Sequence, residues 1–345
     1  MVKVGIIGAT GYAGNELVRI LLGHKDVEIV WLGSRSYIDQ NYSDVYRNMF
    51  KLVDAKCMDD NMEQLANEVD VIFTATPQGL CASLVNDDIL SKVKIIDLSA
   101  DFRLKNVDIY EKWYKLEHKS PQYIDEAVYG LCEINRDKVT KDTRIIANPG
   151  CYTTTSILTL YPLVKEGIIN PDTIIIDAKS GTSGAGRGAK VANLFCEVNE
   201  SMKAYGVGTH RHTPEIEQNL TDAAGEPVEI IFTPILAPMN RGILSTIYCD
   251  KAEGVTIEKI QNELDEFYKD KPFVDVLPLG QVATVKHVRL SNKCAISVHE
   301  NKSKIIICST IDNMVKGSAG QAIQNMNLML GFDECEGLST MATAF

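Results

Sequence analysis

No stretch of this chain approaches the roughly 20 consecutive apolar residues that a membrane-crossing helix needs; its apolar runs, such as those at residues 235–239 and 305–308, stop at a handful. Positive charge is in short supply, with 35 Lys and Arg against 46 Asp and Glu and a net charge of −11. That balance excludes a general nucleic-acid surface, because neutralising phosphates takes clustered cations. The nine cysteines show no C-x-x-C spacing and are odd in number, so they form neither a disulfide framework nor a zinc knuckle. No repeat, low-complexity tract or flexible linker interrupts the chain. Its opening residues run straight into an apolar strand, without a basic segment, apolar core and cleavage site. The expected location is the cytoplasm, without membrane or nucleic-acid partners.

What remains is a 345-residue chain, 45% hydrophobic and 23% charged, long enough for two cores. In the first half, short apolar runs at 2–8, 28–33, 69–76, 94–99 and 144–147 alternate with helical stretches at 12–23 and 80–91. This is the rhythm of a doubly wound parallel sheet, an α/β Rossmann-type fold. After Pro149 a helix over 151–166 leads into longer β-rich runs at 173–179, 228–235 and 242–250, with a hairpin turn at 300–303 between 295–299 and 304–309. These predict an α+β domain with a mostly antiparallel sheet. The expected division is 1–150 for nucleotide binding, completed by a C-terminal helical segment 316–345, and 151–315 for catalysis and dimerisation.

Gly8, Gly11 and Gly14 recur every third residue where the first strand meets the first helix. Lacking Cβ atoms, they let the backbone amides of Thr10, Tyr12 and Ala13 approach a pyrophosphate at a helix N-terminus. The end of the second strand reads Ser34-Arg35-Ser36 and has no acid to bind a ribose diol. Two hydroxyls and a guanidinium favour the 2′-phosphate of NADP(H).

Cys151, after Asn148-Pro149-Gly150, stands at a helix start. Free amides and partial positive charge there stabilise a thiolate and can hold an oxyanion. The other cysteines, Cys57, Cys81, Cys132, Cys196, Cys249, Cys294, Cys308 and Cys335, are read as inert core residues. Of only six histidines, His210 and His212 share the polar loop before Pro214 and Glu215, where Thr213 can cap a helix. They are the candidate acid/base, with His212 preferred and Glu215 as the orienting group. A metal reading of His-x-His has no third ligand close in sequence, and no metal is expected. Three loops carry Gly and Arg in the pattern of anion sites: 99–103 with Arg103, 179–187 with Lys179 and Ser180, and 238–242 with Arg241.

Assembled, the motifs GATGYAG (8–14), SRS (34–36), DLSADFRL (97–104), NPGCY (148–152), SGTSGAGR (180–187), HRHTPE (210–215) and KGSAGQA (316–322) resemble the N-acetyl-gamma-glutamyl-phosphate reductase family, NADPH-dependent enzymes of arginine biosynthesis. More distantly the arrangement is similar to aspartate-semialdehyde dehydrogenase. The resemblance covers nearly the whole length. It implies reduction of an acyl phosphate to a semialdehyde through a Cys151 thioester, with a histidine of the HRH segment as acid/base. It also implies cofactor contacts at Pro77, Ser183, Gly184, Lys316 and Gly317, and substrate contacts at Asn148, Lys179, Ser180 and Arg211, with Arg103 on the phosphate and Arg211 or Arg241 on the α-carboxylate. Family members self-associate, which implies a dimer or tetramer. The chain departs at Thr76-Pro77-Gln78-Gly79, where many members carry a histidine. Relatives acting on carrier-linked aminoadipyl phosphate share much of this motif set, so that acyl phosphate, and more distantly aspartyl phosphate, remain alternative substrates. Two rivals stand outside the family: a short-chain reductase using Tyr161 and Lys165, and a redox sensor that binds NADP(H) without catalysis.

Overall fold

The computed structural model describes residues 1–343 and divides into two compact units, one of Met1–Pro149 with Ser318–Leu338, the other of Gly150–Gly317 with the chain from Ser339 onward. The last two positions of the expected 316–345 segment lie outside the described residues.

In the first unit six strands, β1 (Val2–Ile7), β2 (Val27–Gly33), β3 (Val71–Thr74), β4 (Lys94–Asp97), β5 (Val128–Tyr129) and β6 (Ile145–Ala147), form one sheet in the order β2-β1-β3-β4-β6-β5. Every pairing is parallel. Val71, Ile72, Phe73, Ile95, Ile96, Ile145 and Ile146 are fully buried. Such unbroken apolar runs belong to strands covered on both faces. The order reverses between β1 and β3, the switch point at which doubly wound sheets bind ligands beyond their carboxyl ends.

The expected helix over 80–91 is two, Leu80–Leu84 and Asp87–Lys92. Asn86 breaks it, since in extended conformation its side chain accepts the Ile89 amide at 3.0 Å and starts a second helix. The C-terminal helix Gly320–Leu330 joins this unit and ends at Gly331 in the left-handed region (φ 73°). It is preceded by a π-turn, Val315–Ala319. Its buried face carries four amide side chains, Gln321, Gln324, Asn325 and Asn327. Gln321 and Asn325 both donate to the Gly130 carbonyl, at 2.9 and 2.7 Å, and Gln324 donates to Glu133 at 2.9 Å.

The second unit is built on a seven-stranded sheet of β7 (Ile169–Ser180), β8 (Lys203–Ala204), β9 (Ile231–Leu236), β10 (Ile243–Lys251), β11 (Val274–Val276), β12 (Cys294–Asn301) and β13 (Lys304–Ile311), in the order β11-β12-β13-β10-β7-β9-β8. Four of the six pairings are antiparallel; β11–β12 and β7–β9 are parallel. Helix Cys151–Lys165 lies across one face, touching β7, β10 and β13, with helices Thr213–Ala224 and Ile257–Tyr268 packed beside it. Strand alternation sends Ile176, Ala178, Ile243, Ser245, Ile247, Ile305, Ile307 and Ser309 into that core. Ile175, Asp177, Lys179, Leu244, Thr246, Tyr248, Ile306 and Cys308 stand on the opposite face, all partly or fully exposed within the unit.

Candidate active site

The glycine loop of the first unit is shaped by close approach. Gly8 has φ +84°, and a Cβ there would lie 2.3 Å from the Ala75 carbonyl oxygen; one on Gly14 would lie 2.2 Å from the Gly8 oxygen. The amides of Gly8, Ala9 and Gly11 are consumed by carbonyls of Gly33 and Gly8. The donors left for an anion are the first-turn amides of helix Tyr12–Leu21, which have no intrahelical acceptor.

The Thr10 and Ser34 hydroxyls, both buried, are hydrogen-bonded at 2.7 Å, tying this loop to the end of β2. Beyond β3, where Ala75 underlies Gly8, the Thr76 hydroxyl is buried without a hydrogen-bond partner. A cradle that any Cβ would fill, bordered by an unsatisfied hydroxyl, fits a dinucleotide. Thr76 is a residue that sequence reasoning missed; nothing in its local pattern marks a hydroxyl as orphaned.

Arg35 differs from its sequence-based picture. No acid follows β2 locally, yet Asp60 folds back to accept from Arg35 Nε at 2.6 Å. The guanidinium remains largely exposed (63%), oriented by a carboxylate rather than left loose.

Around the DLSADFR segment, burial and its neighbour Asp101 raise the Asp97 carboxyl above the usual range. Asp97 accepts from the Thr74 and Ser99 hydroxyls at 2.6 and 2.7 Å. Asp101 accepts the Gly79 and Ala82 amides and the Tyr110 hydroxyl. The buried Arg103 guanidinium donates to the carbonyls of Asn148 (2.7 Å) and Leu98 (2.8 Å). It thereby fixes the backbone three residues ahead of Cys151.

In the second unit Cys151 is the first residue of helix Cys151–Lys165, half-buried, with Gly150 extended at the cap. Glu215, fully buried, accepts from the Gly150 amide (3.0 Å) and the Thr153 hydroxyl (2.9 Å). The Gly150 carbonyl in turn takes the Thr153 and Thr154 hydroxyls at 2.6 and 2.9 Å. Through these bonds Glu215 clamps the start of helix Cys151–Lys165. A carboxylate at a helix N-terminus is electrostatically favourable.

His210 and His212 come together with ring centroids 4.8 Å apart, and Tyr152 meets both edge-on at 5.6 and 5.9 Å. Phe232 and Tyr205 close around His210. Its Nδ1 accepts the His212 amide at 3.2 Å, so Nε2 carries the proton. Burial, then the Arg211 charge, lowers His210 to about 4. Tyr205, which donates to the Tyr152 hydroxyl at 3.0 Å, is pushed up to about 12, mainly by burial, with a contribution from the Cys151 charge. The aromatic cluster thus lies close to Cys151. Thr213 is not the cap: the helix begins at Thr213 itself and His212 holds the cap position.

Residues 3–142 match the semialdehyde dehydrogenase NAD binding domain, and residues 151–313 match the semialdehyde dehydrogenase dimerisation domain. An N-acetyl-gamma-glutamyl-phosphate reductase of Lachnospira eligens is 75% identical over 98% of both chains. The chain belongs to the N-acetyl-gamma-glutamyl-phosphate reductase family. Its fold is that of the semialdehyde dehydrogenases. Aspartate semialdehyde dehydrogenase II of Vibrio cholerae, solved with ASA, superposes with TM-score 0.73 at 16% identity, over 96% of this chain and 98% of that one. The Candida albicans enzyme, solved with NADP, gives 0.66 at 17% identity over 96% and 98%.

The remaining motif residues take these positions. Lys179 points to the sheet face away from helix Cys151–Lys165, where its ammonium pairs with Asp177 at 2.7 Å. Lys316 is fully buried over the Phe273 ring, 5.5 Å from its centroid. Gly317 packs against Cys151 itself. Ser180 and Ser183 belong to a loop zipped to residues 239–242: Gly181 donates to Gly242, Thr182 to Met239 and Ser183 to Asn240. Gly184 lies in the short turn Thr182–Ala185 of that loop. Arg241 is held by buried Asp312 at 3.2 Å, while Arg211 is exposed. In the first unit, Asn148 donates to the Ser318 carbonyl, and Pro77 is exposed beyond β3.

Cys196 is exposed rather than buried in the core. Tyr161 packs on Phe267 at the far end of the helix from Cys151, which suits a structural aromatic rather than a short-chain reductase tyrosine. Among the described residues there is no group of three or more His, Cys, Asp or Glu placed to hold a metal, and no helix long and apolar enough to cross a membrane.

Proposed function

We propose that this chain reduces N-acetyl-gamma-glutamyl phosphate to N-acetylglutamate semialdehyde and phosphate with NADPH, in cytoplasmic arginine biosynthesis. The observation that carries this reading is Cys151 at the tip of a helix whose first turn is clamped by Glu215 and whose neighbours are His210 and His212. The 75% identity to a relative of that name supports the choice of acyl group.

The Cys151 thiolate attacks the acyl-phosphate carbonyl. First-turn amides of its helix hold the developing oxyanion, the carbon–oxygen bond to phosphate breaks, and a thioester remains. Arg103 is our candidate for binding the phosphate, with its guanidinium already anchored beside Asn148. NADPH, when bound, supplies the hydride that reduces the thioester. His212 gives a proton as the thiohemiacetal collapses and the sulfur leaves as thiol. Arg241, fixed by Asp312, receives the α-carboxylate. Gly8–Gly14, Thr10, Ser34, Arg35 and Thr76 hold the dinucleotide in the first unit, which we assign as the cofactor domain; the second carries catalysis.

A substrate panel tests the reaction: phosphate-dependent NADP reduction with N-acetylglutamate semialdehyde should far exceed that with aspartate semialdehyde. Equal rates, or none with the first, would overturn the assignment. For the cofactor, Arg35→Asp removes the guanidinium and sets a second carboxylate beside Asp60. Loss of one charge-assisted hydrogen bond, at about 1.5–3 kcal/mol, should raise the NADPH KM by roughly 10- to 100-fold and leave NADH little changed. Parallel weakening of both cofactors would remove the 2′-phosphate reading.

We further propose that two copies pair through the uncovered face of the seven-stranded sheet, where Ile175, Tyr248 and Ile231 are exposed at 41%, 36% and 61%. That apolar face lies in the segment matching a dimerisation domain. Ile175→Asp should shift the protein to monomer in sedimentation; an unchanged oligomer would place the interface elsewhere.

A further inference from the structure

The π-turn Val315–Ala319 joins β13 to the last helix and belongs to a motif that the resemblance places on the cofactor. Its geometry points elsewhere. A Cβ built on Gly317 would stand 2.8 Å from Cys151 Cβ, 3.2 Å from Cys151 Cα and 3.0 Å from Ile311 Cδ1. The first two atoms are backbone and Cβ at the start of a helix, so they cannot swing aside as a flexible side chain can.

The Gly317 amide is not available as an oxyanion donor, because it donates to the Asp312 carbonyl at 3.0 Å. Asp312 in turn anchors the turn rigidly. Its buried carboxylate accepts the amides of Met314 (2.8 Å), Val315 (3.2 Å) and, from across the loop, Leu290 (2.8 Å), besides pairing with Arg241. A turn tied at both the main chain and the carboxylate is a fixed wall. Single-turn π-bulges are costly to form and recur at functional sites, and this one ends against the reacting residue.

We propose that Gly317 is a positioning residue for the nucleophile: the bare backbone of the π-turn is the surface against which Cys151 is seated, and glycine is required there by the cysteine rather than by the dinucleotide. This rests on the reading of Cys151 as nucleophile. The consequence is steric. A methyl group at 317 displaces Cys151 by several tenths of an ångström or more, and displacements on the 1 Å scale cost on the order of 10²-fold in rate.

The test is Gly317→Ala in the full chain. The expected result is a kcat lower by roughly 10- to 100-fold, with the NADPH KM and the quench of protein fluorescence on NADPH binding within about two-fold of the parent. The pH dependence of Cys151 alkylation by iodoacetamide should shift, because the sulfur has moved relative to the helix amides. Ile311→Val removes the Cδ1 atom alone, so G317A/I311V relieves the isoleucine contact and keeps the cysteine contact. It should remain as slow as G317A. Restored turnover in that double variant would show ordinary core crowding and overturn the proposal, as would a G317A enzyme that loses NADPH affinity while keeping its single-turnover rate.

Should G317A fail to fold, Cys151→Gly removes the opposing Cβ. Thermal melts of G317A, C151G and the pair should then show the double variant more stable than the sum of the two losses, and strict additivity would sink the idea. That cycle reads packing alone. A failure of the nucleophile reading would show instead as turnover retained by Cys151→Ser.

Discussion

Replacing Cys151 by serine should abolish turnover, a fall of at least about 10³-fold in kcat, while NADPH binding to the first unit persists. The argument is electrostatic. First-turn amides and the partial positive charge of helix Cys151–Lys165 can lower a thiol from about 8.5 into a range where it ionises at neutral pH; the same field leaves a serine hydroxyl protonated. The buried hydroxyls of Thr153, Thr154, Thr155, Ser156 and Thr159 donate to main-chain carbonyls at the end of the preceding loop or within the helix, so the helix start has few ways to relax around a poorer nucleophile. Intact-mass measurement after mixing with acyl phosphate, without NADPH, should show an acyl adduct on the parent and none on the variant. A serine enzyme with residual turnover above a few per cent would remove covalent catalysis.

The second large effect divides the two histidines. An efficient acid/base titrates near the operating pH. His210, held at about 4 by burial and Arg211 and caged by Tyr152, Tyr205 and Phe232, stays neutral across the physiological range. His212→Asn should therefore lower kcat by roughly 10²- to 10⁴-fold and erase a limb of the pH–rate profile. His210→Asn should cost less in kcat and act on stability instead.

The sign follows from linkage. A histidine whose folded value lies below its unfolded 6.5 binds fewer protons when folded, so stability is complete above pH 6.5 and declines as pH falls toward 4. At 1.36 kcal/mol per unit the loss is at most about 3 kcal/mol. Urea melts between pH 4 and 7 should show this slope in the parent and a shallower one in H210N. If H210N instead abolishes the pH–rate limb while H212N spares it, the proton donor is His210.

Local signals were legible in advance because their causes are local. Glycines at 8, 11 and 14 announce a strand-to-helix turn since the missing Cβ atoms act within that turn, and a cysteine after Pro-Gly announces a helix start. The break at Asn86 was also local, though an Asn inside an apolar-periodic stretch reads equally well as a solvated helical position. The face on which Lys179 stands was not legible. Alternation along β7 separates Lys179 from Ser180, but only the packed helix decides which face is the core.

By itself the sequence determined the parallel first sheet, the mostly antiparallel second one, the glycine loop and the place of Cys151 at a helix tip, because periodicity, turn chemistry and capping are written within a few residues of one another. Tertiary structure alone decided that Asp60 steadies Arg35, that Glu215 clamps Gly150, that the histidines share an aromatic cage and that Gly317 faces Cys151. Apart from the neighbouring histidines and Tyr205, those partners are separated by tens of residues or more along the chain. Contacts at that separation depend on how layers pack, on which carboxylate is buried against which amide and on where a backbone comes too close for a side chain. No local propensity encodes them.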